Sequence, residues 1–167
     1  FISLGGRYEY RNKGIDLYLE SLYRFRESYQ GERDIIAFLL VPAWEAGPRT
    51  ELQYLLNHPT ETQEQALQYP CLSHWLYNTE SDRAVAHIRH RGLDRVDSKV
   101  KVIFVPCYLN GLDGIFDLTY YDLLVGMDLT VYPSYYEPWG YTPLESIRYG
   151  VPTITTTLAG FGLWAEE

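Results

Sequence analysis

Two carboxylates and a knot of cations are the residues from which chemistry could be built. Glu137 and Glu145 are separated by seven residues in SYYEPWGYTPLES (134–146), across a Pro- and Gly-rich bend that leads into a predicted helix. Arg7, Arg11 and Lys13 gather in GGRYEYRNKG (5–14), ahead of Gly14, in a chain that is otherwise acidic. A diphosphate is held by fixed cations and close backbone approach, which Arg, Lys and Gly supply. The segment is neither GxGxxG nor a P-loop, so an ordinary solvated turn accounts for it equally well. Thr142-Pro143-Leu144-Glu145 reads as a capping box, with Thr142 at the N-cap, proline first in the helix and glutamate three residues past the cap. Capping explains those residues without a ligand, but it leaves Glu137 and the crowded Trp139-Gly140-Tyr141 unexplained. A helix start with free N–H groups at the carboxyl end of a parallel sheet also binds phosphate, so cap and ligand site are compatible.

The elements that must position these residues follow from periodicity. Ile2 to Arg7 reads as a strand end, breaking at Gly5-Gly6. Ile15, Leu19, Leu22, Phe25 and Tyr29 have the spacing of an amphipathic helix, with Asp16 in its first turn, where negative charge suits the helix dipole. IIAFLLV (35–41) is an unbroken apolar run stopped by Pro42, as expected for a parallel strand covered on both faces. VKVIFVP (100–106), LTVYP (129–133) and PTITTT (152–157) are further strands, with helices over 119–126 and 142–149. Strands alternating with helices predict an α/β fold with a doubly wound parallel sheet, whose ligand crevice lies at the carboxyl ends of the strands. Residues 43–97 are too long for a simple crossover. Their Glu-, Gln- and Arg-rich stretches near 61–69 and 79–91 read as a helical insertion within a single domain spanning 1–167.

Composition narrows the function classes. With 167 residues, 46% hydrophobic and 22% charged, the chain is an ordinary globular domain. The net charge of -8 argues against a general nucleic-acid binder, which needs a basic face, but leaves room for an anionic small molecule. No apolar run approaches the ~20 residues of a bilayer span, and no signal-peptide pattern is present. Met127 is the only methionine and Phe1 opens directly into an apolar stretch, so the chain reads as a piece of something larger. Cys71 and Cys107 show no metal-like spacing and read as free thiols in a reducing cytoplasm. His87 and His90, with Arg83, Arg89 and Arg91, read as the solvated basic face of a helix, and His58 and His74 have no constellation around them.

FISLGGRYEYRNKGIDLYLESL, VKVIFVPCYLN and above all VYPSYYEPWGYTPLESIRYGVPTITTTLAGFG resemble the nucleotide-sugar domain of glycogen synthase, in its animal and fungal branch. Glu137 and Glu145 match the E-x7-E motif of retaining GT-B glycosyltransferases. The resemblance covers roughly 1–42 and 98–163. It implies a Rossmann-like C-terminal GT-B domain in which Arg7 and Lys13 hold the donor diphosphate and steady the leaving nucleotide. It further implies that Thr142, with the amides of Tyr141 and its neighbours, binds the distal phosphates, and that Glu145 holds the ribose. Tyr120 would stack on the base, its other reading being a core residue of a short helix. Glu137 would face the glucose, and Trp139 and Gly140 would shape the sugar-phosphate pocket. The implied reaction moves glucose from UDP-glucose, in preference to ADP-glucose, to the non-reducing end of an α-1,4-glucan with retention. No metal and no cofactor are expected. The acceptor would bind through a missing N-terminal domain, so the fragment alone is expected to be inactive. No nucleic acid or membrane partner is expected, the location would be cytoplasmic, and homo-oligomerisation of the parent stays open. The alternatives are another E-x7-E transferase with a different sugar or acceptor, or a non-catalytic nucleotide-binding regulatory module.

Overall fold

The structure, a computed structural model, describes residues 1–60 and 67–167. In chain order the elements are β1 (Ile2–Gly5), α1 (Ile15–Ser28), β2 (Ile35–Leu40), β3 (Glu45–Pro48), α2 (Thr50–Asn57), β4 (His74–Leu76) and α3 (Arg83–His90). There follow β5 (Val100–Val105), α4 (Tyr120–Leu124), β6 (Leu129–Tyr132), α5 (Tyr141–Arg148), β7 (Thr153–Thr155) and α6 (Gly160–Glu166). Strands β5-β2-β1-β6-β7 form a five-stranded sheet in which every pairing is parallel. This is the expected Rossmann-like α/β architecture.

Apolar side chains on both faces hold the sheet between its helices. Ala37, Leu39 and Val41 bury into one cluster with Leu4, Ile15, Leu19, Leu22, Val85, Ile88 and Phe104. The alternate residues Phe38 and Leu40 join Val105, Leu124, Met127 and Val151 in a second cluster. Period-two alternation sends neighbours to opposite faces, so the continuous apolar run of β2 satisfies both clusters. In α1 the predicted stripe is buried at Ile15, Leu19 and Leu22, whereas Phe25 is exposed and packs on Tyr29 at 5.1 Å between ring centroids.

Residues 43–97 depart from a purely helical reading. They contain α2 and α3, but also a two-stranded antiparallel sheet of β3 and β4. Residues 61–66 of the predicted helix near 61–69 lie outside the described residues, and 67–69 are not helical. Gly47 at φ 105 and Pro48 favour extended chain over helix here, which composition alone did not weigh. Leu72, Leu76, Ala84, Val85, Ile88 and Leu93 from this segment pack into the same cluster as α1.

The order of strands fixes where a ligand can enter. From β1 the chain moves to β2 and β5 on one side and returns to β6 and β7 on the other. The reversal lies between β1 and β6, where the loops at the strands' carboxyl ends part and leave a crevice. Those two loops are the two segments singled out by their chemistry.

Candidate functional site

The loops after β1 and β6 meet at several points. Gly14, at φ 68, caps α1, and a Cβ there would run into the carbonyl of Pro133. The Tyr135 amide donates to the Asn12 carbonyl at 2.9 Å, and the Arg11 guanidinium lies 5.0 Å from the centre of the Tyr135 ring. Between these contacts the Lys13 ammonium pairs with the Glu137 carboxylate, their side chains only 16% and 19% exposed. Burial and the neighbouring Arg7 push the Lys13 pKa down, opposed by Glu9. Arg7 itself is exposed at the rim and pairs with Glu9 at 3.2 Å.

Glu137 is fixed from behind by the loop after β7. Its amide donates to the Leu158 carbonyl at 3.3 Å, and its carbonyl accepts from Gly160 at 3.0 Å. The Trp139 carbonyl accepts from Phe161 at 2.7 Å, and the Trp139 ring meets Phe161 edge-on at 6.0 Å. Gly140 adopts φ 94 with the Glu137 side chain against it, a conformation that strains any residue with a Cβ.

This glycine also corrects the expected capping box. Gly140 is the N-cap of α5, no side chain caps it, and Thr142 lies inside the first turn. The left-handed turn at Gly140 starts the helix two residues earlier than a cap at Thr142 would. Pro143 remains harmless there because first-turn amides need no intrahelical acceptor. A capping box does occur, at Thr119 and Asp122 of α4, where Thr119 accepts from the Asp122 amide and Asp122 from the Thr119 amide.

Helices α4 and α5 face each other across a line of hydroxyls. Tyr120 sits over the end of β1, where a Cβ at Gly5 would come within 2.8 Å of its ring. Its hydroxyl reaches Tyr132 at 3.2 Å, Tyr132 reaches Ser146 at 2.9 Å, and Ser146 donates to the Thr142 carbonyl at 3.0 Å. Burial raises the pKa of Tyr120, so it remains a phenol. Tyr120, Thr142 and Gly6 line a cavity of about 220 Å³ with Pro42 and Leu109. Glu145 accepts from the Tyr121 hydroxyl at 3.1 Å, and Tyr121 stacks on Tyr149 at 5.1 Å. Tyr141 is exposed at the start of α5. The predicted residues thus gather in two adjoining groups around the crevice: Arg7, Lys13, Glu137, Trp139 and Gly140 in one, Tyr120, Tyr141, Thr142 and Glu145 in the other.

Two expectations about histidines are overturned. His74 does have a constellation: with Cys107 and Asp113 it forms a buried group whose ligand atoms lie within 4.8 Å of one another. Its fit to a metal is poor. His74 Nε2 donates to the Asp113 carbonyl at 2.9 Å and Nδ1 bonds Ser73. The Asp113 carboxylate accepts from the amides of Ile115, Phe116 and Asp117. Burial, with Asp113 nearby, pushes the Cys107 thiol up to about 12, away from the thiolate a metal binds. The trio fastens the loop after β5. Nor is the basic face of α3 all solvated. Tyr10 bonds His87 Nδ1 at 2.7 Å, Arg91 pairs with Glu20 of α1 at 2.8 Å, and Arg83 lies 4.3 Å from the centre of the Tyr10 ring.

Sequence reasoning passed over Tyr121, Tyr132, Ser146 and Asp82. Tyr8, in the loop after β1, donates its hydroxyl to Asp82 at 2.7 Å, while Asp82 also caps α3. Only the cap had a local signal, an Asp immediately before a helical run. Among the described residues no helix is long and apolar enough to cross a membrane.

Comparison with known proteins gives a consistent match. The family model described as glycogen synthase matches residues 49–167. The chain is 31% identical over 226 residues to glycogen [starch] synthase isoform 1 of Saccharomyces cerevisiae, covering 100% of this chain and 32% of that protein. It is 29% identical over 218 residues to the liver glycogen [starch] synthase of Homo sapiens, covering 100% of this chain and 31% of the relative. For glycogen [starch] synthase of Neurospora crassa the figures are 29% over 215 residues, 97% and 30%. The chain therefore spans about a third of the length of the curated relatives it matches.

Proposed function

The chain belongs to the glycogen synthase family, and from that premise we propose that it forms the donor-binding half of a retaining glucosyltransferase. The enzyme moves glucose from a nucleotide-glucose, UDP-glucose in preference to ADP-glucose, to the non-reducing end of an α-1,4-glucan. The acceptor is held by a second domain, so this half binds donor and transfers little alone.

The observation that carries the reading is the Lys13–Glu137 pair at the strand-order reversal. A cation and an anion held side by side suit a substrate that carries a diphosphate next to a sugar. Lys13, with Arg7 at the rim, binds the diphosphate and offsets the charge that grows on it as the glucosyl bond breaks. Glu137 faces the glucose, accepts from its hydroxyls and stabilises the cationic character at the anomeric carbon. It is not assigned as a nucleophile. Paired carboxylates of retaining hydrolases flank one bond about 5 Å apart, whereas Glu145 stands on the far group with Tyr121. Glu145 holds the ribose, Tyr120 offers a ring face to the base, and the amides of Tyr141 and Thr142 meet the distal phosphate. Trp139 and Gly140 shape the wall beside the sugar. The pocket needs no metal in this scheme, since the cations are supplied by the chain.

Calorimetric titration of the folded protein with UDP, UDP-glucose and ADP-glucose tests the reading. Binding of the uridine ligands ahead of ADP-glucose is expected, and a folded sample that binds none of the three overturns it.

A further inference from the structure

Residues 6–14 join β1 to α1, a longer connection than the roughly two to six residues common in α/β units. A loop of that length needs outside support to hold two cations in fixed places, and α3 supplies it. The Tyr8 hydroxyl shares its proton between the two carboxylate oxygens of Asp82, at 2.8 and 2.7 Å, and accepts from the Ala84 amide at 3.2 Å. Two residues on, the Tyr10 hydroxyl meets His87 Nδ1 at 2.7 Å, and the Arg83 guanidinium lies 4.3 Å from the centre of the Tyr10 ring. Burial keeps the His87 ring neutral. Its Nε2 lies 3.8 Å from Glu20, which leaves Nδ1 to accept from Tyr10. The anchor is itself fixed: Ala84, Val85 and Ile88 are buried in the cluster shared with α1, and buried Asp82 caps the helix through the Ala84 and Val85 amides.

Alternation along the loop sorts its side chains. Tyr8 and Tyr10 are held by α3. Arg7 and Glu9 pair with each other at 3.2 Å, and Glu9 also accepts from the Asn12 side chain at 2.8 Å. The Lys13 amide donates to the Glu9 carbonyl at 2.9 Å, and the Asp16 amide to the Tyr10 carbonyl at 3.3 Å. Glu9, between the two anchored tyrosines, thus places Lys13 with its backbone and Arg7 with its carboxylate. Both candidate phosphate cations hang from the stretch that α3 fixes.

We propose that Asp82 and His87 are positioning residues for donor binding: through Tyr8 and Tyr10 they hold Arg7 and Lys13 where the diphosphate meets them. The inference rests on the donor-binding reading and gives α3, within residues 43–97, a part in it. Asp82 and His87 touch no ligand themselves. They act by preorganisation, because a loop already held in place loses little freedom when the diphosphate arrives. A purely structural role has a different signature: stability falls, and the folded protein binds UDP as before.

The test is a mutant cycle read by calorimetric titration with UDP, with the melting temperature measured on each protein. Tyr8→Phe/Tyr10→Phe keeps both rings and the Asp82 cap but removes the anchoring hydroxyls, and should weaken UDP binding about tenfold. Lys13→Met should cost at least about tenfold in the parent but no more than about threefold in that background, since a displaced lysine has less to lose. Asp82→Asn, which still caps a helix and can accept one hydrogen bond, should fall between the parent and the double variant. Ile88→Val trims the core face of α3 and should leave UDP affinity within about twofold while lowering the melting temperature. Unchanged UDP binding by the double variant, a full additive loss from Lys13→Met, or an equal loss in Ile88→Val would each overturn the proposal. If the double variant does not fold, Tyr10→Phe alone completes the same cycle and is judged by the same outcomes. A parent protein that binds no UDP would overturn the donor reading and this inference with it, whereas parent binding with an unaffected double variant overturns the inference alone.

Discussion

Two sequestered cations do opposite work in this molecule. Arg49 is 0% exposed; its guanidinium donates to the carbonyls of Gln68, Tyr69 and Leu72 and, from Nε and Nη2, to Glu51 Oε1, and it lies 4.4 Å from the centre of the Trp75 ring. Nearly every donor of the planar fork is spent. Lys13 is also largely covered, yet among the described residues its ammonium is given one anionic partner, Glu137, at the edge of a crevice. A saturated cation ties chain segments together. An ammonium with donors to spare can take a further acceptor, and that is what a binding site requires.

The contrast can be broken by substitution. The largest effect is expected at Arg49: Arg49→Ala strands three carbonyls and Glu51, and should cost about 3–5 kcal/mol in urea denaturation. Arg49→Lys should recover only part of this, since a single ammonium cannot span the fork. A stable Arg49→Ala protein would erase the distinction. Lys13→Met should reverse the pattern, lowering UDP affinity at least about tenfold in calorimetry while changing stability by about 1 kcal/mol or less. Tyr121→Phe removes one hydrogen bond to Glu145 and should weaken UDP binding about threefold at unchanged melting temperature.

The smallest effect is a pH dependence at the contact between α3 and α1, where His87 meets Tyr10 and Glu20. Burial, then Arg91, holds the His87 pKa below its ordinary 6.5, with Glu20 and Asp16 opposing. The folded state therefore binds fewer protons than the unfolded chain as pH falls below 6.5. The stability this group contributes is present above 6.5 and is lost as pH drops through the lower folded-state value. Thermal melts between pH 7.5 and 5.5 should show a decline that His87→Gln reduces, and an identical slope in that variant would remove His87 as its source.

What could be read from the sequence followed the range of the forces involved. The strand over 35–41 was legible because burial on both faces demands an unbroken apolar run, and that over 100–106 because its run is broken only by Lys101 on an edge strand; both signals are carried within one segment. The loops with Arg7, Lys13 and Glu137 were legible because charge concentrated in an acidic chain is itself local. Their convergence depends on strand order, which no single segment encodes. Thr142 was misread as a cap because Gly140, two residues away, offers a left-handed turn that wins the helix start. His74 looked solitary because its partners Cys107 and Asp113 come from a loop more than thirty residues on. The β3–β4 pairing was missed since it joins short strands separated in the chain by α2 and the residues that follow it.

The bare backbone of Gly14 against the Pro133 carbonyl has a mechanical consequence. With no side chain between them, the loops after β1 and β6 share a root and travel as one jaw. An incoming ligand need not spend binding energy to assemble that jaw, because its two halves are already locked in register. Whatever closes over the crevice must swing against this fixed edge, and a single methyl group at Gly14 would be enough to wedge the jaw open.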